Sequence, residues 1–359
     1  MAKRKNTKVG KLSIEDLRSM VNKQAGMEVA YDLTDENNPT LVKEWIPTGS
    51  RWLDSIIADK GRYAGIPVGK ISEIAGLEST GKSYMALQVA KNAQKMGIDV
   101  IYFDSESALD PSFVEAAGVD LSKLLVIQAT SVEFVFETIE LFLGENENKM
   151  LFIWDSLANT PAVSDLEGDF NPQSSMAVKA RILSKAMSKL TIPIANSQST
   201  FLVLNQLKTN IATGPGAHIA AMTTPYVTPG GKTMTYKYSL RIWLTGRKAK
   251  NSFVKDDNGE DIGSDVRVKI MKSRFGTQGR TCSFKILWRG PKIGIMDDES
   301  LFEAVKGSKR MTCAGSWYTL QYDDSKTVKF QPNGWMNKMA DPDFKAQVIQ
   351  IMDEEIIQK

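Results

Sequence analysis

Metal-binding and redox side chains are almost missing from this sequence, which has two cysteines, Cys282 and Cys313, and one histidine, His218. Two thiols supply neither a Cys-rich zinc cage nor a disulfide framework, and one imidazole excludes a multi-histidine metal centre. Such cysteine use predicts a reducing, cytoplasmic setting. Long apolar runs are missing too. Stretches such as Met150–Trp154 and Phe201–Leu204 fall far short of the ~20 residues that cross a bilayer, so a soluble protein with no membrane role is expected. The first residues lack the apolar core of a secretion signal. There is also little excess of one charge, the formal net value being +3. Met1–Lys11 carries Lys3, Arg4, Lys5, Lys8 and Lys11 without an acid, so the remainder, with 40 basic and 42 acidic residues, stands at −2. That cluster reads either as a solvated terminus or as a phosphate-attracting arm, and bulk charge neither requires nor excludes nucleic acid. What is present, 42% hydrophobic and 24% charged residues in a chain of 359, supports about two domains with a real core and excludes disorder as the main state.

Ser13-Ile-Glu-Asp opens a short amphipathic helix with a capping pattern, and 31–40 then turns to Asp, Glu, Asn and Pro, so residues 1–44 read as a small helical module on a linker. From Trp45 to about Arg289 short β-branched runs alternate with helical stretches, an α/β rhythm that predicts a mainly parallel sheet. Expected strands are Lys70–Ala75, Val100–Asp104, Leu124–Ala129, Met150–Asp155 and Phe201–Gln206. Expected helices are Lys82–Met96, Pro111–Ala117, Ser131–Leu143 and Met176–Leu190, the third with Thr130 and Glu133 as a capping box. Three further strands, Tyr238–Thr245, Asp265–Lys272 and Thr281–Trp288, come without helices between them and should add antiparallel, with Asp257-Asn-Gly in a tight connection. Residues 45–290 form the core domain on this reading. Residues 291–359 form a small separate α/β domain ending in a helix over Asp343–Gln358.

Gly76-Leu77-Glu78-Ser79-Thr80-Gly81-Lys82-Ser83 fits GxxxxGK[ST], with a strand before it and a helix after it. The glycines let backbone N–H groups converge on a β-phosphate at the positive end of the helix dipole. Lys82 would bridge the β- and γ-phosphates of ATP, and Ser83 would ligate Mg²⁺. Hydrolysis also needs a positioned water and charge neutralisation. Asp155, at the end of a buried strand, can hold the magnesium shell or cap the next helix. Glu106, two residues beyond another strand, can take a proton from the attacking water, with Asp104 as its rival. In an open parallel sheet these strand ends share one edge.

At this point the residues resemble the RecA-type strand-exchange recombinases. Asp104-Ser-Glu106-Ser-Ala-Leu-Asp110-Pro111 looks like that family's catalytic-glutamate segment, Leu204-Asn205-Gln206 like its γ-phosphate-sensing strand end, and Thr228-Pro-Gly230-Gly231-Lys like the end of its second DNA-binding loop. The likeness is close over Trp45–Arg289 and looser through Ala314-Gly-Ser-Trp317-Tyr318. The resemblance implies a RecA-like P-loop ATPase core, flanked by an N-terminal polymerisation module and the small C-terminal domain. It implies Glu106 as catalytic base and Gln206 as sensor. Asp110 and Phe113 would lie against adenine, Phe113 standing where the family more often has Tyr, and Trp288 would pack on the same nucleotide. Lys272 and Arg274 would face the neighbouring subunit's γ-phosphate. About 25 residues between Gln206 and Gly231 are rich in Gly, Thr and Pro and lack periodicity. They would be the second DNA loop, with Lys208 on phosphate, Ile211 wedged between bases and the Gly230–Gly231 N–H groups on the strand. Leu166-Glu167-Gly168 through Met176 resembles the first loop, with Met176 as a wedge and Arg181 on phosphate.

The second loop is longer than expected for the bacterial branch and carries Gly214-Pro-Gly216, a basic helix position appears as Ser188, and there is no long acidic tail. These departures lean towards the phage-borne branch. The resemblance therefore implies a magnesium-dependent, DNA-dependent ATPase that forms helical filaments on single-stranded DNA and exchanges strands with duplex DNA. Loading and single-strand-binding proteins would be its partners, in a host cytoplasm. A ring-forming helicase motor and an ATP-switched DNA-binding module remain the alternatives.

Overall fold

The computed structural model describes residues 11–26, 28–35, 38–60, 64–167, 175–210, 219, 224–246, 253–290, 292–323 and 326–356. They fall within two compact units, 1–41 and 42–359. In the first, α1 (Ile14–Ala25) begins at the expected capping box: Ser13 Oγ accepts from the Asp16 N–H at 3.1 Å, and Asp16 Oδ2 accepts from the Ser13 N–H at 2.9 Å. Gly26 ends it at φ +67°, a left-handed turn that costs glycine little. Ile14, Leu17, Met20 and Val21 are exposed along this helix.

In the second unit, α2 (Arg51–Ile57) precedes the strands read from the sequence. These are β1 (Ile71–Gly76), β2 (Asp99–Asp104), β3 (Leu124–Gln128), β4 (Met150–Asp155) and β5 (Thr200–Gln206), each within a residue of its expected bounds. Between them lie α3 (Lys82–Lys95), α4 (Pro111–Ala116), α5 (Val132–Glu145), α6 (Val163–Glu167) and α7 (Ser175–Asn196). Helix α7 runs past the expected Leu190 and through Pro193, because Leu190 and Ile194 are both buried against the sheet. Ser131, and not Thr130, caps α5 by accepting from the Phe134 N–H at 3.1 Å. Glu133 instead accepts from the Val163 N–H at 3.0 Å, so the expected capping box does not form.

Beyond β5, α8 (Gly231–Lys237) leads into β6 (Leu240–Gly246), followed by β7 (Phe253–Lys255), β8 (Asp261–Ser273), β9 (Thr281–Leu287) and β10 (Gly294–Ile295). The sheet order is β10-β9-β8-β6-β1-β5-β4-β2-β3, with β7 on β8. β8 and β9 add antiparallel as expected, but β6 pairs parallel with β1, Arg241 lying opposite Glu73. The parallel pairing departs from the expectation because α8 acts as a crossover that returns the chain to the starting edge. Asp257-Asn258-Gly259 lies in the β7–β8 hairpin, where Gly259 has φ +83°.

Successive side chains of the central strands point to opposite faces, and both faces are covered. Ile153, Leu202 and Leu204 pack with α3 through Met85 and Val89, whereas Phe152, Trp154, Phe201 and Val203 pack with α5 and α7 through Phe136 and Met187. Residues after Pro291 have a core of their own. There α9 (Asp297–Val305), an antiparallel sheet of β11 (Met311–Ala314), β12 (Trp317–Asp323) and β13 (Lys326–Phe330), α10 (Trp335–Met339) and α11 (Pro342–Ile351) bury Phe302, Leu320, Trp335 and Val348 together. The final expected helix is α11 followed by a π-helical turn, Met352–Ile356. No helix among the described residues is long and apolar enough to cross a membrane.

One buried acid is expected to make the stability of this fold depend on pH. Asp54 is 4% exposed, and its Oδ1 accepts from the Thr48 N–H at 3.0 Å and the Thr48 hydroxyl at 2.7 Å. Burial pushes its carboxyl up to about 8, and the Asp297 charge adds to the rise. The unfolded chain releases this proton near pH ~3.9. The folded chain thus binds more protons between the two values, and stability falls as pH rises from about 4 to about 8. Asp54→Asn keeps the acceptor and removes the titration. It is expected to flatten that fall and to be the more stable protein at pH 8 by on the order of 2 kcal/mol, read by urea unfolding at pH 5 and pH 8. Parallel slopes for the two proteins would contradict this.

Candidate active site

The register of the sheet assembles the site. Gly76 pairs with Gln206, and Asp104 pairs with Asp155, so the ends of four neighbouring strands meet at one edge. Between β1 and α3 the chain turns through Ser79 at φ +56° and Gly81 at φ +80°. A Cβ on Gly76 would come within 2.5 Å of Thr80 Oγ1 and 3.1 Å of Lys82 Cγ, so only glycine leaves the loop open. Gly81 caps α3 without a side chain. The first N–H groups of the helix therefore face a cavity of about 580 Å³, as an anion requires.

Lys82 Nζ and Thr80 Oγ1 each donate to the Leu77 carbonyl at 2.8 Å. Burial lowers the lysine's pKa, against the charges of Asp155, Glu106 and Glu78. Ser83 Oγ donates to Asp155 Oδ2 at 2.7 Å, and the Tyr102 hydroxyl donates to the same oxygen at 2.7 Å. Burial raises the Asp155 carboxyl above its usual range despite both bonds. A partly desolvated carboxylate beside a hydroxyl is a donor set of hard oxygens, which suits Mg²⁺ completed by phosphate and water. Among the described residues no group of three or more His, Cys, Asp or Glu could hold a metal without such completion.

Asp104 and Glu106 differ in their hydrogen bonding. Asp104 is buried and spends both oxygens on the turn, Oδ1 accepting from the Glu106 N–H at 2.9 Å and Oδ2 from the Leu109 N–H at 3.1 Å. Glu106 stands exposed at the cavity wall, which Gln206 and Phe113 also line. Asp110 and Trp288 lie apart from that wall. Asp110 caps α4 by accepting from the Phe113 N–H at 3.0 Å, and Trp288 meets Phe253 edge-on at 6.2 Å. Lys272 and Arg274 do not reach the chain's own cavity. Lys272 Nζ donates to the carbonyls of Thr235 and Tyr236 at 2.9 and 2.8 Å, and Arg274 donates to that of Tyr236 at 3.2 Å, so both hold the C-terminal end of α8.

Of the predicted DNA-contacting residues, Lys208 is exposed in a short ladder pairing Lys208–Thr209 with Tyr226–Val227, and Arg181 is exposed on α7. Gly230 and Gly231 have φ +105° and +79° at the start of α8. Ile211 and the Met176 side chain lie outside the described residues. The end of the 207–231 segment is fixed by a network that the sequence reading missed. Glu73, 1% exposed, accepts from Arg241 Nε at 2.6 Å and Asn205 Nδ2 at 3.0 Å. Asn205 also donates to the Pro229 carbonyl at 3.0 Å, and Arg241 donates to Thr228 Oγ1 at 2.9 Å. Opposite charges embedded in two apolar strands were the available signal.

A strand, a glycine-bent loop and an uncapped helix, at the open edge of a mainly parallel sheet with a hydroxyl–carboxylate pair alongside, define a P-loop ATPase with the RecA-like fold. The chain belongs to the RecA family, whose N-terminal domain model matches residues 13–293. It is 30% identical over 357 residues to Protein RecA of Mycoplasma mycoides, covering 99% of this chain and 94% of that protein. It is 29% identical over 329 residues to Protein RecA of Saccharopolyspora erythraea, covering 92% and 88%. With Protein RecA of Frankia casuarinae it shares 29% over 344 residues, covering 96% and 92%.

Proposed function

We propose that this protein is an ATP-dependent recombinase that coats single-stranded DNA as a helical filament and exchanges strands with a homologous duplex. As a RecA-family member it is a DNA-dependent ATPase of recombination and repair. The ring helicase and the ATP-switched binding module are not favoured. The observation that carries the reading into residues is continuity: the strand that ends in Gln206 runs straight into the second segment read as a DNA loop, and the strand that ends in Asp155 reaches the first through a turn and α6.

In this reading Lys82 spans the terminal phosphates, and Ser83 and Asp155 hold Mg²⁺, which when bound neutralises phosphate charge. Glu106 takes the proton of the attacking water, and Gln206 contacts the γ-phosphate. Phe113 lies towards adenine, with Asp110 beside it and Trp288 packing on the same nucleotide. Lys272 and Arg274 reach the next subunit's nucleotide. On DNA, Arg181, Lys208 and the N–H groups of Gly230 and Gly231 meet phosphate, with Met176 and Ile211 as wedges. Residues 1–44 serve polymerisation, 45–290 hold ATP and DNA, and 291–359 form the accessory domain. Ser188, whose hydroxyl donates to the Ser184 carbonyl at 2.9 Å instead of offering a cation, supports the phage-borne branch. A host cytoplasm and loading and single-strand-binding proteins go with that branch.

The experiment is joint-molecule formation between homologous single- and double-stranded DNA with ATP and Mg²⁺; ATP turnover stimulated by DNA without any joint molecule would refute strand exchange. Lys208→Ala is expected to reduce the slope of log affinity against log salt by roughly 0.7 on single strands, the value of one phosphate contact. Titrations at three or more salt concentrations check it, and an unchanged slope would remove Lys208 from the DNA site.

A further inference from the structure

Asn159 belongs to no motif, yet its carboxamide joins the two residues on which hydrolysis is proposed to depend. It lies exposed in the turn after β4. Its Nδ2 donates to Glu106 Oε1, and its Oδ1 accepts from Gln206 Nε2 at 3.5 Å. The turn that carries it is clamped from α7. Lys179 Nζ donates to the carbonyls of Leu157, Ala158 and Thr160 at 3.0, 3.5 and 2.5 Å. The turn that carries Asn159 is therefore tied to α7, the helix that follows the first segment read as DNA-binding and carries Arg181, through Lys179, and Asn159 itself is tied to Gln206, where the 207–231 segment begins.

We propose that Asn159 is a positioning residue that restrains Glu106 in the DNA-free protein and releases it when DNA is bound. This rests on the reading of Glu106 as the base. A general base must lie within hydrogen-bond reach of the water it deprotonates. An oxygen held by a neutral amide, which accepts no proton from water in its place, is turned away from that task. Hydrogen bonds to ionised groups are the stronger class, so the restraint is worth about a tenfold bias. A shift of Gln206 or of α7 on DNA draws the carboxamide away and frees the carboxylate. The coupling runs through three named contacts and needs no change in the phosphate loop.

Asn159→Ala is expected to raise ATP turnover without DNA about tenfold and to reduce the DNA stimulation ratio by the same factor. The KM for ATP and the maximal DNA-stimulated kcat should stay within about twofold of the parent. Asn159→Asp keeps the acceptor for Gln206 but offers Glu106 no donor at neutral pH, so it should behave like the alanine variant. A merely structural role would lower both rates together or move KM. DNA-free turnover that is unchanged or lower in both variants would overturn the proposal. Glu106→Gln in the same assay keeps the two readings apart. If it is inactive while the Asn159 variants match the parent, the restraint alone fails; if it turns over ATP at the parent rate, the base assignment fails.

Discussion

Lys82→Ala is expected to lower ATP turnover by at least about a thousandfold, and Glu106→Gln to lower it by about a hundred- to ten-thousandfold while leaving ATP binding nearly intact. The two losses have different causes. Lys82 is the cation inside the phosphate loop, its Nζ turned towards the Leu77 carbonyl at 2.8 Å and partly desolvated. Without it the terminal phosphates meet only N–H groups and the metal, so binding and turnover fall together. Glu106 touches the loop through no hydrogen bond among the described residues; its partners are Asn159 and, through its N–H, Asp104. A glutamine of the same shape keeps the wall of the cavity and removes only the carboxylate proposed as proton acceptor. Binding of a fluorescent ATP analogue, set beside phosphate release with DNA present, separates the two. A Glu106→Gln protein that hydrolyses ATP at the parent rate would move the base elsewhere. Asp104 could then not inherit the role without giving up its bonds to the Glu106 and Leu109 N–H groups.

What could be seen from the sequence was whatever the chain encodes locally. The phosphate loop is eight consecutive residues, and the strand ends at Asp155 and Gln206 follow apolar runs whose period is visible, so their convergence needed only the rule that parallel strands share an edge. The direction of β6 was not visible, because strand polarity is decided by the connection, and α8 is a short helix inside a stretch rich in Gly, Thr and Pro. The capping of α5 was misread by one residue for a similar reason. Ser131 and Thr130 are equivalent in sequence, and the tertiary partner of Glu133, the Val163 N–H, is 30 residues away. Tyr102 on Asp155, Lys179 on the turn carbonyls, the Glu73–Arg241 pair and Asn159 were missed altogether. Each acts across a distance in sequence of 19 to 168 residues, and none carries a spacing that could be recognised.

Combined Lys272→Ala and Arg274→Ala substitutions are expected to reduce DNA-stimulated turnover by about a thousandfold, the scale of a cation supplied in trans, with ATP binding by the separate chain unchanged. In one chain both side chains hold α8 carbonyls and stand away from the chain's own cavity, so the phosphate proposed for them is a neighbour's. Mixing provides the decisive arm. The doubly substituted chain keeps Lys82, and a Lys82→Ala chain keeps Lys272 and Arg274, so an equal mixture should regain activity at about a quarter of its head-to-tail interfaces. A pH arm follows from the charge on Lys272. Burial first, then the charges of Arg274 and Arg241, brings its pKa down to about 8. Above that pH the ammonium must regain a proton before it can grip a phosphate, so interface-dependent turnover should fall by up to about tenfold per pH unit between pH 8 and pH 10. Lys272→Arg carries a charge that does not titrate in this range and should flatten the fall. Two dead variants that stay dead when mixed, together with identical pH profiles for the parent and Lys272→Arg, would place these cations outside the ATP site and confine them to holding the C-terminal end of α8.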